Sequence, residues 1–449
     1  MKIKDSILYW IKRLLATLNN ERVRVGLQQA IPFWIASVIT GLIAVFYTYL
    51  FGKAEELLHW ITEKDHAWLF IISPIGFLLA YLLVKRWAPY AQGSGIPQLM
   101  ASIELATPKT ADKVDRLLGL RIILIKIGSS LLMVLSGGVI GREGPTIQIA
   151  GSVFRKVNQW IPASWPKISR KNMIMTGGAA GLAAAFNTPL GGIVFAVEEL
   201  TKTHISYFKT ALFSAVIIAG LTAQAILGPY LYLGYPNLRD LGSTIFLSVA
   251  LVSVISGLGG AILSKLILAL LKWKSAFKKE FHFMMYAFVA GLIMATLAYF
   301  ITPGVLGSGK DQMTTLLFTD NKTVEWYLPF LRVFGSLISF TTGAAGGIFA
   351  PALSIGATIG GALGNLLEMS ATNTNLLVLA GMVGFLTGVT RSPFTSAILV
   401  LEMTDRHSVI FYLMLSAMMS SAAALIIDRR SLYTHLKNRY LRELDKTVN

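Results

Sequence analysis

The string Gly141-Arg142-Glu143-Gly144-Pro145 is the most informative stretch of this chain. It follows an apolar run from Ile122 to Ile140 and precedes a second run, from Thr146 to Val157, that is too short to cross a bilayer. An ionisable side chain in hydrocarbon costs roughly 2.5 to 3.5 kcal/mol on insertion scales, and such residues commonly mark transport paths or proton relays. The string therefore predicts a functional carboxylate, that of Glu143, at membrane depth.

The glycines and the proline of this string indicate the start of a helix. Proline fits the first helical turn, where its missing N–H group would have no partner in any case. The N–H groups of a helix start, together with the helix dipole, favour an anion. The segment thus offers an anion site and carries an anion of its own, Glu143. Competition between Glu143 and a free anion is our working hypothesis for the chain.

Composition predicts an all-α polytopic membrane protein. The chain has 449 residues, of which 54% are hydrophobic and 14% charged, and its mean hydropathy is +0.62. In soluble domains about a quarter of the residues are charged, and porin strands alternate polar and apolar residues, which these runs do not. The absence of cysteine excludes disulfides and thiolate metal sites. We expect neither a metal nor a cofactor.

The net charge of +17 comes from basic residues in predicted loops and tails, so we expect a lipid bilayer and not nucleic acid as the partner. Residues 1–25 are predicted to form a cytoplasmic amphipathic helix, and residues 431–449 a cytoplasmic C-terminal helix. Basic clusters at both ends obey the positive-inside rule and place both termini in the cytoplasm: Lys2, Lys4, Lys12, Arg13, Arg22, Arg24, Arg429, Arg430, Lys437, Arg439 and Arg442.

Apolar runs and breaks alternate along the chain. A basic loop is predicted from Arg155 to Lys171, and broken helix pairs are predicted around Asn187-Thr188-Pro189 and around Thr390-Arg391-Ser392-Pro393. The other predicted spans are Ile31 to Phe51, Trp68 to Val84, Phe208 to Ile226, Ile245 to Leu271, Met284 to Ile301 and Val409 to Ile427.

The breaks recur in the same order in the two halves of the chain. Gly93-Ser94-Gly95 matches Gly307-Ser308-Gly309, and Gly144-Pro145 matches Ala350-Pro351. Repeated halves with interrupted helices are typical of transporters, whose binding site lies where the breaks converge. We predict one transmembrane transport domain, with a first repeat over about residues 26–230 and a second over about residues 240–430. The repeats are inverted if each half crosses the membrane an odd number of times, and short reentrant segments leave that count open at this point.

Three strings, in this order and spacing, resemble the filter segments of the CLC family of chloride channels and H⁺/Cl⁻ antiporters. Ser431-Leu432-Tyr433 adds to the resemblance, which covers about residues 30–440. It implies a CLC fold, with two inverted-topology repeats and broken and reentrant helices, assembled as a homodimer with one pore per protomer. It also implies a short prokaryotic member in a bacterial inner membrane, without a C-terminal regulatory domain. The strings are Gly93-Ser94-Gly95-Ile96-Pro97, Gly141-Arg142-Glu143-Gly144-Pro145 and Gly347-Ile348-Phe349-Ala350-Pro351.

The same resemblance implies roles for individual residues. Glu143 corresponds to the external gate, which also transfers protons, and Glu199 to the internal proton-transfer residue. The anion-binding groups would be the hydroxyls of Ser94 and Tyr433 and the backbone N–H groups of Ile348 and Phe349, and a serine at position 94 implies chloride. Arg142 is expected to shape the local field rather than to bind chloride.

Each of these residues also has a plain structural explanation. Alone, Ser94 could be a helix cap, worth ~1 kcal/mol, and Tyr433 could be one of many interfacial tyrosines. Glu198 and Glu199 could be carboxylates at a solvated helix end. The repeat separates these two: Glu198 has a counterpart in Glu402, which indicates a structural role for both, whereas the counterpart of Glu199 is Met403.

The function predicted is proton-coupled chloride transport, with a passive voltage- or pH-gated chloride channel as the alternative. Glu199 argues against the channel, because channel members usually have an apolar residue there. No enzyme is expected, since His-Glu-x-x-His is absent and the aspartates lie mainly in loops and tails. Gln98 replaces a glutamate common in relatives and is expected to affect selectivity little. His204 is interpreted as a surface residue.

Overall fold

The computed structural model describes residues 21–200, 209–228, 231–238, 241–242, 245–319 and 322–446. Over these ranges the chain is helical, and its only extended pairings are two isolated β-bridges. The helices in chain order are α1 (Glu21–Lys64), α2 (Leu69–Trp87), α3 (Ile96–Glu104), α4 (Ala111–Leu117), α5 (Leu120–Leu135), α6 (Glu143–Trp160), α7 (Arg170–Phe186), α8 (Pro189–Phe195), α9 (Lys209–Leu227), α10 (Ile245–Lys274), α11 (Glu280–Phe300), α12 (Lys310–Phe318), α13 (Leu328–Thr341), α14 (Phe349–Leu366), α15 (Ala371–Thr390), α16 (Pro393–Thr404), α17 (Ile410–Ile427) and α18 (Leu432–Lys446).

Membrane-spanning helices are abundant, as the composition predicts. Among the described residues, nine helical segments are long and apolar enough to cross a bilayer. The spans that contain α14 and α15 are mostly buried inside the protein, whereas those of α9, α11 and α17 leave most of their apolar surface exposed. The first pair therefore lies at the centre of the protein, and the outer helices present an apolar surface suited to lipid.

The two predicted helix breaks are confirmed, and both have the same construction. Helix α7 ends at Asn187 in the left-handed region (φ 56°), and α8 begins two residues later at Pro189. Helix α15 ends at Arg391, also left-handed (φ 59°), and α16 begins at Pro393. In both breaks, a residue in the left-handed conformation ends the first helix of the pair. A proline, which fits the first turn of a helix, starts the second helix of the pair.

Three predicted boundaries are wrong. The predicted boundary between residues 25 and 26 lies inside α1, which is unbroken from Glu21 to Lys64. Residues 1–20 of the predicted N-terminal amphipathic helix fall outside the described ranges. The basic loop predicted from Arg155 to Lys171 begins later, after α6 ends at Trp160, and the Arg155 guanidinium pairs with the Asp115 carboxylate. Helix α5 ends at Leu135, so the last residues of the apolar run to Ile140 are not part of it and lead on to the Gly141 string.

Candidate functional site

Backbone hydrogen bonds join the three glycine-rich strings. Gly141 and Gly347 exchange two N–H···O bonds of 2.8 and 2.7 Å, in an antiparallel bridge. Gly93 donates to the Ala344 carbonyl at 2.8 Å and accepts from the Gly346 N–H at 3.1 Å. The segments before α3, α6 and α14 are thereby held together, although they come from distant parts of the chain. The first N–H groups of these helices have no partner within their own helix and are available to an anion.

Glycine is required where these segments meet. Gly95, the N-cap of α3, has φ 101°, which favours glycine over any L side chain, and a Cβ there would lie 2.7 Å from Cβ of Gln148. A Cβ on Gly144 would lie 2.8 Å from the Ser94 carbonyl oxygen, and one on Gly347 would lie 3.1 Å from the Gly144 nitrogen. The strings are therefore glycine-rich because their backbones approach one another closely.

Glu143 is buried between two helix starts. It is the first residue of α6 and is 1% exposed. Its carboxylate lies against the backbone N–H groups of Glu143 and of Ala350, which belong to the first turns of α6 and α14. The Oε2 atom is buried and has no hydrogen-bond partner among the described residues. A carboxylate thus occupies the position that the helix dipoles make favourable for a free anion.

Ser94 and Tyr433 bring two hydroxyls to the same region from opposite ends of the chain. Both residues are buried, and the two hydroxyls are neighbours. Neither hydroxyl makes a hydrogen bond to another described residue. Buried polar groups are normally paired, so two unpaired hydroxyls side by side indicate space for a ligand that accepts hydrogen bonds.

Ile348 and Phe349 form the third side of this region. Ile348 is the N-cap of α14 and Phe349 its first residue, and both are buried. The Phe349 ring stacks on that of Tyr433, with 6.2 Å between ring centroids and 6° between ring planes. Phe349 therefore holds the tyrosine in place and offers an N–H group at the helix start.

Arg142 precedes Glu143 in the chain, and its guanidinium contacts residues of α1. It is the N-cap of α6, and its guanidinium donates to the Thr48 carbonyl at 3.4 Å and lies 6.0 Å from the centre of the Phe51 ring. These contacts hold the charge on the α1 side, in keeping with an influence through the electrostatic field.

Glu199 lies in a π-helical turn over Ala196–Leu200 and accepts a hydrogen bond of 2.7 Å from the Ser392 hydroxyl. Glu198 accepts from the Phe394 and Thr395 N–H groups and from the Thr395 hydroxyl, and so caps α16.

Glu402 accepts from the N–H groups of Leu190 and Gly191, at 3.0 and 2.6 Å, and so caps α8. Each half thus caps a helix of the other half. The structural role predicted for Glu198 and Glu402 is confirmed.

Sequence analysis missed two buried cations. Lys126 is fully buried, and its Nζ atom donates to the carbonyls of Ala91 and Gly93, both at 2.8 Å. It therefore ties down the loop that carries Ser94. Arg332, also fully buried, donates to the carbonyls of Gly304, Leu306 and Gly307 in the second half. A charged residue within a long apolar run is the signal that could have identified both.

A cavity of about 170 Å³ leads to Ser94 from the side of α18. Three basic residues, Lys85, Lys274 and Arg439, line it, and none of the described residues in its lining is acidic, although Arg439 is paired with Glu443. Lys274 is 5% exposed and donates to the carbonyls of Thr341 and Thr342. A cavity with this lining attracts anions.

Gln98 also lines this cavity, and it has a structural role that sequence analysis did not predict. Its amide nitrogen donates to the Tyr90 and Gln92 carbonyls, at 3.1 and 2.7 Å, and to the Tyr440 hydroxyl at 3.2 Å. It thereby links the segment before Ser94 to the C-terminal helix. His204, interpreted above as a surface residue, lies outside the described residues.

The chain is similar to proteins of one known family. Residues 76–425 match the family model described as voltage gated chloride channel. The H⁺/Cl⁻ exchange transporters ClcA of Salmonella typhimurium and Salmonella typhi are each 27% identical to the chain, over 98% of this chain and 96% of theirs.

Solved structures share the fold. A slow cyanobacterial Cl⁻/H⁺ antiporter is similar with a TM-score of 0.79 and 24% identity, over 92% of this chain and 98% of that one. A eukaryotic CLC transporter gives 0.74 and 18%, over 92% and 74% of the two chains. A CLC-type fluoride/proton antiporter gives 0.73 and 21%, over 90% and 96%.

Proposed function

Since this chain belongs to the voltage gated chloride channel (CLC) family, we propose that it exchanges chloride for protons across a membrane. The observation that carries this proposal is the Glu143 carboxylate lodged against the N–H groups of two helix starts. One position can hold either this carboxylate or a free anion. When protonated, the side chain no longer competes for N–H groups that favour an anion, and chloride can take its place. The curated relatives named H⁺/Cl⁻ exchange transporters support the same function.

The anion would be bound without contact to a full positive charge. The hydroxyls of Ser94 and Tyr433 and the N–H groups of Ile348 and Phe349 supply neutral donors. Lys126 is the buried cation that binds the loop before Ser94, and it directs its Nζ atom to the backbone carbonyls of that loop. Conduction requires binding that is strong enough for entry and weak enough for release, and neutral donors meet that requirement. The basic cavity lined by Lys85, Lys274 and Arg439 would concentrate chloride at the Ser94 end.

Protons would take a partly separate route, from Glu199 to Glu143. Glu199 is hydrogen-bonded to Ser392, and Tyr433 is within electrostatic reach of both Glu199 and Glu143. Both carboxylates therefore lie near the region that Tyr433 lines. Protonation of Glu143 from this side would release it from the helix starts, which couples the proton to the anion.

The assembly and orientation follow from the family and from the charge pattern. The protein would be a homodimer with one pore per protomer in a bacterial inner membrane. Both termini would be cytoplasmic, because basic residues cluster near them. The two repeats, about residues 26–230 and 240–430, would have inverted topology.

Flux measurements in liposomes test this function. The purified protein is reconstituted into liposomes loaded with chloride and placed in a low-chloride medium, and external pH and chloride are recorded together. Exchange predicts that chloride efflux drives protons into the liposomes, against their own gradient. Chloride efflux without any proton movement, at a clamped membrane potential, would instead identify a passive channel.

A further inference from the structure

The second half of the chain contains a loop built like the anion loop of the first half. Gly93 and Gly95 have φ values of 62° and 101°, and the matching Gly307 and Gly309 have values of 67° and 86°. Gly95 is the N-cap of α3 and Gly309 the N-cap of α12, and each of these helices has nine residues. The two loops therefore present their serine, Ser94 or Ser308, to a helix start with the same backbone conformation.

A buried cation supports each loop in the same way. Lys126 donates to the carbonyls of Ala91 and Gly93 before Ser94. Arg332 donates to the carbonyls of Leu306 and Gly307 before Ser308, at 3.2 Å each. The equivalence thus extends from the backbone of the loops to their support.

The two loops differ in what their serines bind. The Ser94 hydroxyl has no partner among the described residues. The Ser308 N–H and hydroxyl both donate to Oε1 of Glu55, at 3.2 and 2.6 Å. Glu55 comes from α1, so a carboxylate of the chain itself fills the second loop. A carboxylate oxygen and a halide accept hydrogen bonds from the same donors, and this contact therefore defines an anion site that is already occupied.

The surroundings of Ser308 can accommodate an ion. A cavity of about 150 Å³ is lined by Glu55, Ser308 and Gly309, and it also touches the exposed pair of His59 and Asp311. The cavity has room for the ion once the carboxylate is absent.

We propose that the Gly307-Ser308-Gly309 loop is a second anion site, for a small monovalent anion such as a halide, which the Glu55 carboxylate occupies as an internal ligand. The site lies where α12 begins and is separate from the Ser94 and Tyr433 pair. Lys310, the first residue of α12, is within electrostatic reach of Glu55 and Arg142, and the two cations favour an anion in this region. The carboxylates of Asp311 and Glu143, also within reach of Lys310, disfavour an added anion. Replacement of Glu55 by a short neutral side chain opens the site.

Anomalous diffraction from crystals grown in bromide tests the proposal. Glu55→Ala should show a bromide peak within hydrogen-bond distance of the Ser308 nitrogen and Oγ, and the unaltered protein should show none there. Glu55→Ser, which also shortens the side chain, should give the same peak and serves if alanine disturbs α1. In Glu55→Ala/Ser308→Ala the peak should fall by at least half, because one of its two donors is lost.

The matched control is Glu56→Ala, which removes the neighbouring carboxylate, exposed and paired with Lys53, and should leave the Ser308 site free of bromide. A bromide peak at Ser94 in the same crystals shows that the ion reached the protein interior. If that peak is present and neither Glu55 variant shows bromide at Ser308, the inference is overturned while the proposed function stands. If bromide is absent from both loops, the inference is overturned as well, and the anion role of Ser94 falls with it.

Discussion

Replacement of Ser94 by alanine should weaken chloride binding without weakening the fold. The Ser94 hydroxyl is buried and makes no hydrogen bond to another described residue. Its removal therefore takes from the protein at most a weak contact with the neighbouring Tyr433 hydroxyl, and the main loss is in the complex with the anion. A hydrogen bond to a charged group contributes about 1.5 to 3 kcal/mol, which corresponds to a rise in the Kd for chloride of roughly 10- to 150-fold.

Isothermal titration calorimetry with chloride, on the purified protein in detergent, measures this change. The matched control is Ser102→Ala on α3, the helix that follows Ser94, where a fully buried hydroxyl donates to the Gln98 carbonyl at 2.8 Å. That variant should lose a little stability and keep the parent Kd. If Ser94→Ala is folded and its Kd lies within threefold of the parent value, the hydroxyl does not bind the anion and Ser94 is only part of a helix start.

Three further predictions address the other parts of the site. Glu199→Gln should abolish chloride-driven proton uptake and keep chloride binding, and uptake at the parent rate would return Glu199 to a structural role. Ser94→Pro should lower the ratio of chloride to nitrate flux, because chloride has the more concentrated charge and loses more with the donor; an unchanged ratio in a folded variant would refute this. Lys126→Met leaves the Ala91 and Gly93 carbonyls unpaired, at about 1 to 3 kcal/mol each, and should lower the melting temperature in detergent, whereas the exposed Lys53→Met should not.

The parts of the fold that depend on local sequence were predictable. The breaks at Asn187 and Arg391 follow from a turn residue before proline, and the three glycine-rich strings follow from their composition. The cap formed by Glu198 could be inferred from its counterpart, Glu402. Each of these signals lies within a few residues of the feature it predicts, or is repeated in the other half.

The contacts that complete the site depend on distant segments. Lys126 bonds to carbonyls some 35 residues away in sequence, and Gln98 bonds to Tyr440 in the last helix. The basic cavity draws Lys274 from α10 and Arg439 from α18. No local pattern encodes such pairings, which arise only when the helices pack. For the same reason, family resemblance alone predicted a role for Tyr433.

The coupling of protons to chloride through Glu143 is the central claim, and one measurement tests it most directly. The variant Glu143→Gln keeps the size of the side chain and removes its charge, as protonation does. It is reconstituted beside the unaltered protein, and proton and chloride fluxes are recorded in the same liposomes. We predict that chloride flux persists in the variant while chloride-driven proton uptake is lost. Proton uptake driven by a chloride gradient in Glu143→Gln would contradict the account.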